Sequence, residues 1–365
     1  MYRFLFGLLL FFLFLIIKSP MIRGSRIDAS YGAMIMAIGI FFIGVFPQFE
    51  MPLILPSYFV DLSLFFIWLY LIGSFMKAAL QGVFRKRYLT HPVQSFAVGT
   101  WVAATSILCL VLYHQFPYLK SFIFIVALLN TGLWAFYLFL CLKSYRVIFS
   151  SKYFERVHGI VFLSTVSTQS LIIVFNTLFH SPFLQGMSRF VIILGLALYG
   201  INLCLFTIRC RQLRRTDLAD GWKNTNCIVH GAMSISGMAA IVSRAFPGEV
   251  LLGMWIWAGL LFLLIEGIEL WRLAVRLRLY PLQQAIGRYH VSQWARNFTF
   301  GTFFVFTLNM DFTGAPAIFN QLQAAIIQSG VPVLVTLLII ESLLFFKDSL
   351  PWQESQQQMK RVILK

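Results

Sequence analysis

The sequence predicts an all-α polytopic membrane protein, and three observations carry that reading. Apolar residues make up 59% of the 365 and charged ones only 12%, about half the charged share of an ordinary soluble domain. The mean hydropathy is +0.81. The apolar residues come in continuous runs long enough for helices, not in the roughly ten-residue alternation of a membrane β-barrel. Together these exclude a soluble globular enzyme, a disordered chain and a fibrous one.

A bilayer core of about 30 Å takes roughly 20 apolar residues per helix. Ten runs qualify, in chain order: 31–46, 56–76, 95–113, 120–142, 158–179, 189–208, 225–243, 249–272, 294–310 and 331–347. The breaks hold turn and charge signals such as Phe46-Pro47-Gln48, Arg85-Lys86-Arg87 and Ser181-Pro182. An eleventh, shorter apolar run at 4–17 lies between Arg3 and Lys18 with no small-residue cleavage site behind it. It reads as an N-terminal apolar helix at the interface or half inserted. The organisation is thus an N-terminal apolar segment with a basic linker (1–29), a ten-helix transmembrane unit (30–347) and a polar cytoplasmic tail (348–365).

The net charge is +16, and it is not evenly spread. Segments 18–29, 77–94, 143–157, 209–224, 272–293 and 347–365 hold 24 of the 29 Lys and Arg residues. The intervening segments offer only Lys120, Arg189 and Arg244. The positive-inside rule places both ends of the ten-helix unit in the cytoplasm, in a plasma (bacterial inner) membrane. Topology accounts for the charge, so the expected large partner is the lipid bilayer and not a nucleic acid. The five cysteines make no CxxC pair, and neither a disulfide framework nor a zinc site is expected.

The odd-numbered helices start near Tyr31, Ser95, His158, Thr225 and Trp294, at spacings of 64, 63, 67 and 69 residues. The unit is a helical hairpin followed by a basic loop, repeated five times. Odd helices are rich in small and hydroxyl residues, as in Ser164-Thr-Val-Ser-Thr-Gln-Ser170 and Gly231-Ala-Met-Ser-Ile-Ser-Gly237. Even helices are bulky, as in Leu334 to Phe346. Small residues let helices approach closely, and hydroxyls in hydrocarbon need a partner or water. This predicts five odd helices inside and five even helices facing lipid. Five equivalent helices about an axis leave a central hole. The alternative is a solid bundle in which the small residues are only packing faces.

Four local patterns resemble a known family. His91-Pro92-Val93 followed by Val102-Ala-Ala-Thr-Ser-Ile-Leu108, Thr165-Val-Ser-Thr-Gln-Ser170, Trp222 with Gly231-Ala-Met-Ser-Ile-Ser236, and Trp294 through Thr299-Phe300-Gly301 carry the likeness. Their order and placement resemble the tellurite-resistance/dicarboxylate transporter family, which includes plant guard-cell slow anion channels and fungal malate and sulfite transporters. The resemblance implies a quasi-fivefold ring of hairpins around a central pore, assembled as a homotrimer. It also implies a pore closed by a phenylalanine of helix 9, at the position of Phe300. The family's substrates include malate and other C4 dicarboxylates, nitrate, chloride, sulfite and tellurite-related anions. Two departures stand out. The proline after the gate phenylalanine is Gly301 here, which permits a kink without forcing one. The family's second tryptophan is absent, with Ala295 and Arg296 near its place.

On this reading Phe300 is the candidate gate, since a ring across a narrow apolar pore blocks hydrated ions. Arg296 lies four residues earlier and shares its helix face. It is either an anion-attracting cytoplasmic mouth or an arginine snorkelling to headgroups. Thr100, Ser164, Ser167, Thr168, Ser234 and Thr299, with Gly237 and Gly301, are candidate pore-lining residues. Each hydroxyl either faces the pore or bonds a carbonyl one turn back. Glu341, midway along helix 10, is either a proton-coupling carboxylate or a group at a helix interface. Glu269 and Arg272 are spaced for an i,i+3 pair. His91, His158, His230 and His290 sit near starts of odd helices. They leave a membrane haem or redox protein as the second reading, although only His230 lies well inside a span. The expectation is a non-enzymatic anion channel or carrier for small inorganic or dicarboxylate-like anions, needing no cofactor or metal. No nucleotide-binding or hydrolase motif appears.

Overall fold

The computed structural model describes residues 29–48, 54–150, 152–179, 181–213, 221–286 and 289–349. The apolar run 4–17 and the tail from 350 lie outside them. Among the described residues there are helices and turns and no strand. Besides the single-turn helix Leu282–Ala285, ten α-helices of the described residues follow in order: α1 Gly32–Ile40, α2 Ile54–Leu80, α3 Gly99–Gln115, α4 Lys120–Ser150, α5 Leu163–Leu178, α6 Pro182–Gln212, α7 Ile228–Ser243, α8 Gly248–Leu279, α9 Trp294–Leu308 and α10 Ala317–Ser349. Helix α1 runs on through a π turn, Phe41–Val45, and a 3-10 turn, Phe46–Gln48.

Nine spans among the described residues are long and apolar enough to cross a membrane. The exception is α9, fifteen residues long, with Arg296 and Asn297 in its first turn. The chain is therefore a helical, multi-pass membrane protein.

Odd and even helices are built differently. Each odd helix opens through a 3-10 turn: Ala29–Tyr31, Gln94–Val98, Gly159–Phe162, Asn224–Cys227 and Val291–Gln293. The last of these is fixed by a capping box, in which Gln293 Oε1 accepts from the His290 N–H at 2.7 Å. The even helices α4, α6, α8 and α10 open at prolines 117, 182, 247 and 316. A proline there costs nothing, because the first N–H groups of a helix have no intrahelical partner. Pro52 and the first three of these prolines recur every 65 residues, a mark of the repeat that helix starts alone show less sharply.

The even helices outrun their apolar runs. The sequence places helix 6 at 189–208 and helix 10 at 331–347, whereas α6 starts at Pro182 and α10 at Ala317. Hydropathy ends where hydrocarbon ends, but intrahelical hydrogen bonding carries on into polar residues. Helix α10 even passes through Pro332, where Thr336 Oγ1 donates to the Pro332 carbonyl at 2.8 Å.

Burial separates the two sets. In their most apolar stretches α3, α5 and α7 are 94, 94 and 89% buried, against 28, 39, 28 and 11% for α4, α6, α8 and α10. Helix α1 packs on α3, α3 on α5, α5 on α7, α7 on α9, and α9 returns to α1. Each of α2, α4, α6 and α8 leans on its own hairpin partner and on the next odd helix. Two features fix these contacts. Glycines bring odd helices together: a Cβ at Gly231 would lie 2.3 Å from Thr299 Cγ2, and one at Gly301 2.6 Å from Ile40 Cγ2. Tryptophans tie outer to inner helices: Trp68 Nε1 donates to Thr105 Oγ1 at 2.9 Å, Trp134 to Thr168 at 3.0 Å, and Trp255 to Thr307 at 2.9 Å. In each case the even helix reaches the odd helix that follows it.

Candidate functional site

The starts of the five odd helices meet at a small cavity of about 20 Å³. Helix α1 and its turn supply Ser30, Ala33 and Met36, and α3 supplies Thr100. The other three present matched pairs three residues apart: Ile160 and Leu163, Thr225 and Ile228, Ala295 and Phe298, with Ser292 beside the last. The space suffices for about one water. Phe298, Leu163, Ile228 and Met36 are 1–3% exposed, so this wall of the cavity is buried, while Ser30 is half-buried.

Helical spacing extends this lining away from the cavity. Thr302 and Val305 follow Phe298 on α9, Ser167 and Ser170 follow Leu163 on α5, and Ala232 and Ile235 follow Ile228 on α7; all are buried. Ser167 and Ser170 donate to the carbonyls of Ser164 and Ser167, at 3.2 and 2.9 Å. Thr100 Oγ1 has the Ala29 and Ala97 carbonyls at 2.6 and 2.7 Å. The centre is closed and mostly apolar, and these hydroxyls are bonded to backbone.

Phe300 lies elsewhere. Its ring packs on Phe262 of α8, with centroids 4.6 Å apart, and edge-on to His230 of α7 at 6.1 Å. Phe303 stacks on the same Phe262, and Thr307 takes the hydrogen bond from Trp255 of α8. Arg296, Phe300, Phe303 and Thr307 therefore form one stripe of α9 turned towards α8. Two residues of α-helix are about 200° of rotation. Phe298 thus faces the cavity, whereas Phe300, the residue singled out from the sequence, faces α8.

Arg296 follows the same stripe. Its guanidinium meets Glu266 at 3.3 Å and Glu269 at 2.7 Å, both on α8. Glu269 also pairs with Arg272 at 3.2 Å, and Glu266 Oε1 lies 3.6 Å from His230 Nε2. The expected Glu269–Arg272 pair is part of a larger network. Arg296 is neither a free mouth charge nor a snorkelling one, because two carboxylates hold it.

The other lining candidates divide. Thr100 lines the cavity and Ser167 stands on the Leu163 face. Ser164 turns outward, 3.2 Å from Tyr145 Oη of α4 and accepting from Asn202 Nδ2 of α6 at 2.9 Å. Thr168 receives Trp134 of α4. Ser234 donates to the His230 carbonyl and Thr299 to that of Arg296, at 2.9 and 3.1 Å. Gly237 and Gly301 are packing points: a Cβ at Gly237 would lie 2.1 Å from Phe306 Cζ. Ser164, Thr168, Thr299, Gly237 and Gly301 each meet a neighbouring helix.

Glu341 is 5% exposed, so it points into the protein and not at lipid. The histidines are spread. His230 is in the ion network, His290 caps α9, and His91 and His158 line one cleft at the end where the odd helices start. His158 Nδ1 meets Thr225 Oγ1 at 2.8 Å. Burial, helped by the charges of Lys223 and Arg209, pushes the His158 imidazole down to about 4, so it is neutral at physiological pH. At the opposite end Lys120 sits over Phe179 and Arg189 over Phe246, at 4.6 and 5.7 Å from the ring centroids.

No protein-family model matches the chain, and no curated protein matches it. The residues that meet at the cavity carry no motif. Their signal is positional: Ile160, Thr225 and Ala295 hold the same place in successive repeats, each three residues ahead of a bulky partner.

Proposed function

We propose that the chain moves small anions through a route enclosed by α1, α3, α5, α7 and α9, arranged as a quasi-fivefold ring. On this reading the route is closed at Phe298, with Met36, Leu163 and Ile228 around it. The observation that carries the reading is the convergence of five equivalent helix starts, each contributing side chains, on one central cavity. Ten membrane passes, a cytoplasmic location for that end and assembly as a homotrimer belong to the same proposal. So do dicarboxylate-like or small inorganic substrates, which rest on the resemblance in helices 3, 5, 7 and 9.

The electrostatics favour anions over cations. Helix N-termini carry partial positive charge, and all five odd helices begin at the cavity. No Asp or Glu is among the described lining residues. The surrounding loops are basic, which raises the local anion concentration.

Flux in liposomes with anion substitution tests this. Phe298→Ala removes the ring that fills the cavity wall, so it is expected to raise anion flux severalfold over wild type. Phe300→Ala is expected to leave flux at the wild-type level, because its ring packs on α8. A leak from Phe300→Ala with a tight Phe298→Ala would overturn the placement of the plug. No anion flux from either variant or wild type would overturn the transport reading.

A further inference from the structure

A second cavity lies off the axis, where the basic ends of α4 and α6 meet the turns before α3, α5 and α7. It is an open cleft of about 480 Å³, within the ordinary range for organic ligands. Its charge is one-sided. Arg156, Arg209 and Lys223 line it, with Glu155 the one acid among the described lining residues. Among the described residues Arg209 and Lys223 have no acidic partner, and Arg156 has only the Tyr153 ring, 5.4 Å from its guanidinium. Gln94, Asn226 and His91 add polar groups, and Phe206 and Val93 give an apolar wall.

We propose that this cleft binds a phosphate-bearing organic anion. Three cations against one carboxylate leave an excess of two positive charges, which a phosphate dianion balances. Guanidinium groups bind phosphate oxygens through paired N–H donors, and lysine adds a point charge. The apolar wall suits the organic part. The same chemistry reaches the cleft from two sources, a soluble phosphorylated compound or the headgroup of an anionic lipid at the membrane surface.

The cleft also borders the central cavity. His158 lines the cleft, Thr225 lines the cavity, and the two are hydrogen-bonded. Behind them Gly159 N–H donates to Asn226 Oδ1 at 2.9 Å. An occupied cleft therefore bears on a wall of the central cavity one hydrogen bond thick. The binding proposal does not depend on transport through that cavity.

The full-length chain in neutral phosphatidylcholine nanodiscs is titrated calorimetrically with glycerol 3-phosphate and with pyrophosphate. In a second arm phosphatidic acid is included in the nanodiscs and the thermal unfolding midpoint is followed. Binding to the folded state raises that midpoint. Arg209→Gln and Lys223→Gln are each expected to weaken binding roughly tenfold, with Arg209→Lys restoring part of it. The exposed pair Lys143→Gln and Arg146→Gln, outside the cleft, is expected to change little. A response only to soluble probes identifies a free phosphorylated ligand, and one only to phosphatidic acid identifies a headgroup. No response in either arm overturns the proposal. So does a response that survives Arg209→Gln with Lys223→Gln, or one lost equally in the control pair.

Discussion

Arg296, in the first turn of α9, shows what a poorly solvated charge does when its partners are in place. Its side chain is 25% exposed, with the guanidinium Nε and Nη2 buried, and the Glu266 and Glu269 side chains are 14% and 10% exposed. Two arginines and two carboxylates make the cluster neutral overall. Removing one cation leaves a poorly solvated carboxylate uncompensated, which is the costly way to break such a pair. Arg296→Gln is expected to destabilise the protein by about 2 kcal/mol or more, seen as a lower unfolding midpoint in detergent. Adding Glu266→Gln to that variant is expected to recover part of the loss. Anion flux per folded molecule should stay within a factor of about two, since the residue faces α8. Intact stability with lost flux would instead assign Arg296 to the permeation route.

At the scale of the elements, helix contact is set by where small residues stand. Gly159 is the tightest against backbone: a Cβ there would sit 2.0 Å from the Thr225 carbonyl oxygen and 2.6 Å from Asn226 Cα. Both are backbone atoms that no rotamer change can move aside. Gly159→Ala is therefore expected to separate the turns ahead of α5 and α7 and to lower the unfolding midpoint sharply. Gly132, inside α4, is different: a Cβ there would meet nothing within 4 Å. Gly132→Ala is expected to be neutral or to stabilise by up to about 1 kcal/mol, since alanine loses less backbone entropy in a helix. Equal behaviour of the two variants would refute close approach as the reason for Gly159. The helices themselves were legible because hydrocarbon imposes a long apolar run on each. Their ends were not, because a helix such as α6 continues past the run once its backbone bonds close. Face assignment was the harder part. Along α9, phenylalanines occur at 298, 300, 303, 304 and 306, so composition gives no phase. Only the glycine and tryptophan contacts of neighbouring helices settle that Phe298 looks inward. Thr168 and Thr307 were equally ambiguous, as a hydroxyl that accepts from an outer tryptophan reads in sequence like one that lines a pore.

For the whole molecule, burial and charge run in perpendicular directions. Across the bundle, apolar exposure grows outward, with Leu129, Phe190 and Leu263 each 71% exposed on even helices, as lipid-facing side chains should be. Along the bundle, the basic segments lie at the end where every odd helix starts and every even helix finishes. Lysine and arginine near helix ends are held on the cytoplasmic side during insertion, so the cavity end is expected to face the cytoplasm. A membrane-impermeant maleimide reads this directly on a chain freed of its native cysteines. Tyr118, 77% exposed between α3 and α4, and Arg146, exposed at the basic end of α4, stand at opposite ends. Tyr118→Cys is expected to be labelled on right-side-out vesicles, and Arg146→Cys only after permeabilisation. The reverse pattern would turn the molecule over and put the positive helix ends on the outside. The proposed route would then gather anions for entry from outside, not from the cytoplasm.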